Sequence, residues 1–248
     1  MRYMLLLLII IAHASCAKTV VVLYTYYEKP PFIIDLKNNI GLSFDLASEL
    51  NHFAQNYHFE LVYLPKQRAT NKAIEAGALL WVNPSWVNGT NTQTFLWTKP
   101  VMYDRELYVT NDKSLIFSDN SSLYNKTLVG VRGYHYFNLN ELIKQGNVLR
   151  HNVDNETTIA KMLANKRGDF GVMGLQTYSY IIKQNPEYKN QLYILEGYVK
   201  PFTRSIAVSS SSPAIYQKLI QFFQSDRWIK LKDRWLIHRD DTAQLSNR

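Results

Sequence analysis

The sequence predicts an α/β protein built as two lobes joined by two chain crossings, and three patterns lead there. Apolar, β-rich runs alternate with amphipathic helical segments from Thr19 onward, as in mostly parallel sheets covered by helices. Two extended, mostly apolar runs, LYVTND from Leu107 and RSIAVSSSSP from Arg204, bracket a second series of the same kind. The closing helical segments then return to the first series. A chain that leaves one α/β unit and later re-enters it crosses twice, which makes a hinge, and the space between the units makes a cleft.

The first seventeen residues stand outside that fold. Arg2 supplies a positive start, Met4 to Ala12 an apolar core, and Ser15-Cys16-Ala17 a small-residue end before Lys18, together the pattern of a cleaved secretory signal. That core is too short to span a bilayer as a helix. A lipoprotein signal would need Cys16 as its anchor, and His13-Ala14-Ser15 lacks the usual aliphatic residue. Thr19 to Tyr26 then reads as a buried strand, and Ser43 to Phe53 as a helix with Phe44, Leu46, Ala47, Leu50 and Phe53 on one face. Between them, Pro30 and Pro31 restrict Lys29 and each other to extended geometry. The prolines hold a stiff loop at the carboxyl end of a strand, where open α/β sheets place ligands. Strand FELVYLP, a helix from Gln67 to Gly77 and strand GALLWVNP complete the first unit. The second reads TLVGVRG as strand, YFNLNELIKQG as helix, a strand near Val148 to His151 and NETTIAKMLANKRG as helix. DFGVMG (strand), LQTYSYIIKQNP (helix) and QLYILEG (strand) follow, and helices SPAIYQKLIQFFQS and DRWIKLKDRWL close the chain.

Removing 17 residues from 248 leaves 231, enough for one large domain or two small ones with sizeable cores. The single cysteine leaves with the signal, so the exported chain would be held by its core and not by disulfides. The formal charge of +8 becomes +7 without Arg2, and a basic surface suits nucleic acid, an anionic membrane or an anionic ligand. The basic residues are scattered and interleaved with acidic ones, without a basic stripe or zinc-finger spacing, which argues against nucleic acid. His52, His58, His135, His151 and His238 form no ligand-spaced cluster, so neither a metal nor another cofactor is expected. Asn88, Asn120, Asn125 and Asn155 head Asn-x-Ser/Thr triplets, common by chance.

The ordered series PPF, GLSFDLASELN, LPKQRATNKAIEAG, TKPVMYDRELYV, LVGVRG and TIAKMLANKRGDFGVMG resembles the bacterial extracellular solute-binding proteins of family 3, the polar amino-acid-binding group. It runs through nearly the whole mature chain. The resemblance implies a type II periplasmic binding protein with two lobes and two hinge crossings. Its first lobe would comprise 18–108 and 205–248 and its second 109–204. The implied function is a monomeric periplasmic protein that closes on a small polar or charged organic solute and presents it to an inner-membrane permease of an ABC transporter. Such proteins hold an α-carboxylate with a first-lobe arginine and an ammonium with a second-lobe carboxylate. Here NPSWVNGTNTQTFLWTKPVMYD has no arginine, and Gly174 stands where the carboxylate would fall, so ordinary α-amino-acid recognition is in doubt.

Other residues offer replacements. Tyr26 and Tyr27 end the first strand, where one ring packs inward and the other can wall a ligand. Glu28 reads equally as a carboxylate for a cationic group and as a solvated turn residue. Arg68, beginning a helix after Pro65, has a five-donor fork suited to carboxylate or phosphate, though it fits a solvated face as well. Trp81 and Trp86 are candidate stacking walls or core residues, with Asn83 and Ser85 as donors or acceptors between them. Tyr103 is a further wall. On the second unit Arg132 and Tyr134 lie where strand passes to helix and free N–H groups could receive an anion, and Gln176 offers an amide after Gly174. No catalytic residue is assigned. The competing class is a periplasmic enzyme on the same scaffold, of the cyclic-acid dehydratase kind, with Glu28 and His135 as an acid–base pair; a ligand sensor is the third. No HExxH, CxxC, nucleophile elbow or phosphate loop supports catalysis.

Overall fold

A computed structural model describes residues 18–87, 94–235 and 237. The expected signal segment, the Asn88 triplet and most of the chain after Trp235 lie outside the described residues.

Strand β1 (Thr19–Thr25) is followed, after the Pro-Pro loop, by helix α1 (Leu42–Phe53). Next come β2 (Tyr57–Tyr63), α2 (Lys66–Glu75), β3 (Ala78–Val82) and the short β4 (Phe95–Trp97). The second series runs β5 (Met102–Thr110), β6 (Thr127–Val131), α3 (Asn140–Lys144), β7 (Leu149–Val153), α4 (Glu156–Ala164), β8 (Phe170–Gly174) and α5 (Leu175–Gln184). The long strand β9 (Tyr193–Ser209), α6 (Pro213–Phe223) and α7 (Asp226–Trp235) follow.

The strand order is β2-β1-β3-β9-β5-β8-β6-β7, with β4 also on β9. The two ends are built alike. β1 lies parallel between β2 and β3, and β6 lies parallel between β7 and β8. In each case the next neighbour runs antiparallel, β9 beside β3 and β5 beside β8. Between the ends, β5 and β9 pair antiparallel from Met102↔Arg204 to Thr110↔Tyr193.

Packing follows the same division. Leu23, Leu42, Leu46, Phe59 and Met102 share a buried cluster with Ile206, Leu219, Phe222 and Trp228. Leu107, Val109, Val129, Ile159, Leu163 and Met173 share another, and Tyr108, Leu128 and Phe170 belong to a third. The α1 face predicted from the sequence buries Leu46, Ala47 and Leu50 as expected. Gly41, before α1, has φ 145°, and a Cβ there would lie 2.5 Å from the Phe32 carbonyl oxygen. Only glycine lets the loop fold back this closely, which ties the Pro-Pro segment, whose Pro30–Pro31 bond is cis, to the helix start.

The sequence predicts separate strands at QLYILEG and RSIAVSSSSP, whereas β9 is continuous across 17 residues. Gly197 and Pro201 read as breaks locally. Gly197 instead has φ 89° near a register shift opposite Leu107 to Val109, and Pro201 pairs with Arg105 within the ladder. Helix α3 is also shorter than predicted: Tyr136 turns inward, its hydroxyl accepting from the Val131 N–H at 2.9 Å.

Candidate functional site at the seam of the sheet

In each parallel triplet the carboxyl ends of the strands carry the loops that face a switch in strand order, where α/β sheets form ligand crevices. These loops meet one another. Lys29, in the loop after β1, donates to Glu156 Oε1 at 2.6 Å. Glu156 is the first residue of α4, behind the Asn155 cap whose side chain accepts from the Thr158 N–H. Thr177, in the first turn of α5, donates its hydroxyl to the Pro30 carbonyl at 2.6 Å. Both contacts join residues 127 and 147 positions apart, so the stiff loop is clasped by two helix starts of the other triplet.

Behind this clasp lies a buried ion pair on the crossing strands. Arg204 of β9 donates from Nε and Nη2 to Asp104 Oδ2 of β5, at 3.0 and 2.9 Å. Its Nη1 donates to the Trp81 carbonyl at 3.0 Å. Trp81 makes that possible with φ 62°, beside the β3–β9 irregularity that turns its carbonyl out of the ladder. Four rings surround the guanidinium: Tyr27 and Phe32 at 4.8 Å, Phe202 at 5.0 Å and Trp86 at 5.4 Å from their centroids. The remaining Asp104 oxygen accepts from the backbone N–H groups of Arg105 and Gln176.

Electrostatics follows the pairing. Burial works against the Lys29 ammonium, and the Glu156 carboxylate more than offsets it, so Lys29 titrates above its ordinary value. Arg204 is raised also: burial works against its charge, and Asp104 and Tyr27 together more than offset it. Tyr26 is pushed well above the usual phenol range, chiefly by burial, with Tyr27 adding to it. Burial raises Tyr134 also, while the Lys29 charge opposes that shift.

The residues singled out from sequence fall into three groups. Tyr27 and Trp86 lie at the seam as ring neighbours of Arg204. Tyr134 is 44% exposed and feels the charges of Lys29, Glu156 and Arg204. Gln176 is buried and donates its amide to the Tyr103 carbonyl at 3.0 Å, while the Tyr103 ring is 46% exposed. A second group serves structure. Trp81 is 0% exposed, so its indole is core and not a ligand wall, with Nε1–H donating to Ser43 Oγ at 2.8 Å. Asn83 caps the short helical turn at Pro84–Trp86 by accepting from Ser85, and its amide donates to the Thr203 carbonyl. The third group is exposed. Glu28 lies near Tyr63, Arg68 lies near Lys72 on α2, and Arg132 is 3.8 Å from Asp154.

Lys29, Asp104, Glu156, Thr177 and Arg204 were missed. Gly174 held the one available clue. A Cβ there would lie 3.3 Å from Asp104 Oδ2, so a carboxylate does stand beside this position, supplied by the neighbouring strand. Its partner is the chain's own Arg204. A cation does sit among the aromatic residues here, and it is this internal arginine.

Two cavities flank the seam without reaching Lys29 or Glu156. One, of about 490 Å³, is lined by Val101, Tyr103, Tyr216, Phe223 and Trp228 among others. The second, of about 220 Å³, is lined by Ile34, Ile40, Gln176, Tyr180 and Trp235 among others. Among the described residues no group of three or more His, Cys, Asp or Glu side chains could hold a metal ion, and no helix is long and apolar enough to cross a membrane.

Solved structures share this architecture. An ancestral arginine-binding protein bound to arginine is 15% identical with a TM-score of 0.65, covering 88% of this chain and 98% of that one. A mutant of ArgBP from T. maritima is 16% identical with a TM-score of 0.63, covering 88% and 96%. The periplasmic VFT2 domain of Bordetella pertussis BvgS is 18% identical with a TM-score of 0.58, covering 87% and 93%. No family model and no curated protein matches the sequence. The fold is that of the type II periplasmic binding proteins.

Proposed function

We propose that the chain is a periplasmic solute-binding protein that closes on a small polar organic solute at the seam and presents it to an inner-membrane permease. One lobe comprises 18–108 with 205–248, the other 109–204, and β5 and β9 are the two hinge crossings. The observation that carries this is the meeting of strand-end loops from both triplets at Lys29–Glu156 and Pro30–Thr177. A ligand held by groups from both lobes favours closure because it gains contacts in the closed form that the open form cannot offer. The likeness to solved binding proteins supports the same reading, with the solute left open by the low identity. The permease and the monomeric state are expectations of the resemblance, and export is an expectation of the signal pattern in residues 1–17.

A thermal-shift screen of the mature chain against amines, amino acids, organic acids and small peptides tests it, with calorimetry on each hit. A ligand that binds only the native state raises its apparent stability. Small-angle scattering with and without the hit reports closure. A folded sample that binds nothing across the panel refutes the proposal, as does turnover of a bound cyclic acid.

A further inference from the structure

The clasp is incompletely satisfied. Glu156 is 4% exposed, and its Oε2 is buried with no hydrogen-bond partner while Oε1 holds Lys29. Buried carboxylate oxygens are ordinarily hydrogen-bonded, so one that no protein donor reaches is a seat a further donor can take. Lys29 is a point cation on a tether and serves one oxygen; an amidinium or guanidinium presents two parallel N–H donors and serves both.

We propose that Glu156 is the acceptor for a forked cation carried by the solute, an amidinium or guanidinium group, and that Lys29 is the tethered stand-in which the solute displaces; this rests on the solute-binding reading above. Exchange of one cation for another leaves the seam's charge balance unchanged, so no unpaired charge is buried. Lys29 is 12% exposed and lies on a loop, so its side chain can move without breaking a helix or strand. The Lys29 Nζ lies 5.8 Å from the Tyr27 ring centroid, so a cation on this seat has an aromatic neighbour. The proposal also fits the stretch from Asn83 to Asp104, which has no arginine: recognition through Glu156 asks for no carboxylate on the solute.

The test uses the full mature chain, with agmatine and benzamidine as forked cations and butylammonium and succinate as controls, by calorimetry. Wild type binds agmatine and benzamidine and prefers them to butylammonium. Lys29→Met removes the internal competitor and tightens both by about tenfold or more, the gain expected when a ligand no longer competes with an occupied state. Glu156→Gln weakens both by at least about tenfold, since it removes a charge-assisted bidentate acceptor. Unchanged affinity in Lys29→Met overturns the proposal, and so does wild type that binds butylammonium as tightly as agmatine and benzamidine, a comparison that decides the matter if either variant does not fold. A solute from the wider panel that binds wild type and Glu156→Gln alike overturns the Glu156 assignment and leaves solute binding standing. No binding of any solute by folded wild type or Lys29→Met overturns both.

Discussion

Replacing Asp104 with asparagine leaves the Arg204 guanidinium buried without its counter-charge. Both side chains are at most 3% exposed, so water cannot take over the lost interaction. The carboxylate now accepts Nε and Nη2 of Arg204 on one oxygen and the backbone N–H groups of Arg105 and Gln176 on the other. An asparagine has one oxygen and one NH2 group. Whichever way it turns, the NH2 faces donors, either the guanidinium or the two backbone N–H groups. Removing one member of a buried pair costs about 3–5 kcal/mol. For a chain of this size each kcal/mol moves the midpoint by about 2–4 °C, so Asp104→Asn should lower Tm by roughly 6–20 °C. Circular dichroism melts, paired with urea unfolding to check that the m-value holds, measure this. The double variant Asp104→Leu with Arg204→Met removes both charges but also the oxygen that accepts the Arg105 and Gln176 N–H groups, so it should recover only part of the loss. A drop smaller than about 2 °C for Asp104→Asn, well under the range given by the size scaling, would refute the account of Arg204 as a desolvated cation dependent on this carboxylate.

Gly41→Ala forces a Cβ against the Phe32 carbonyl at φ 145° and should cost about 1–3 kcal/mol, read as a lowered urea midpoint. Ser43→Ala strands the Trp81 indole N–H in the core and should cost about 1–3 kcal/mol, whereas Ser43→Thr, if its methyl is accommodated, keeps the acceptor and costs less. Burial raises Tyr108 from 10.0 to about 12, and Tyr26, Tyr136 and Tyr198 are raised also. Because the folded values lie above the unfolded ones, this contribution is complete below pH 10.0 and is lost as pH rises through about 12. A tyrosinate absorbance titration should therefore show part of the phenols ionising only as the chain unfolds. Full reversible ionisation near the ordinary value with the fold intact would contradict it.

The alternation of strands and helices, the amphipathic face of α1 and the stiff loop after β1 were legible in the sequence because each depends on neighbours a few positions apart. The same local physics misled at β9. Gly197 and Pro201 break strands when judged by their own preferences, and only the long pairing with β5 overrides them. Trp81 shows the other failure: a strand-end indole reads as a wall or as core, and burial against Phe32 and Trp228 decides for core. The candidate site was the least legible part. Tyr27, Trp86, Tyr134 and Gln176 stood out in the sequence because large or polar side chains at strand ends are suggestive by type, and the structure places them along the seam. Lys29 and Glu156 are ordinary loop and helix-start charges until two loops 127 positions apart are brought to 2.6 Å. Asp104 comes to stand beside Gly174 only through the β5–β8 register. The sequence by itself therefore determined the α/β periodicity and where its loops fall, since those are local properties of the chain. Which charges face one another across the seam was decided by tertiary structure alone, because strand order and register set those distances.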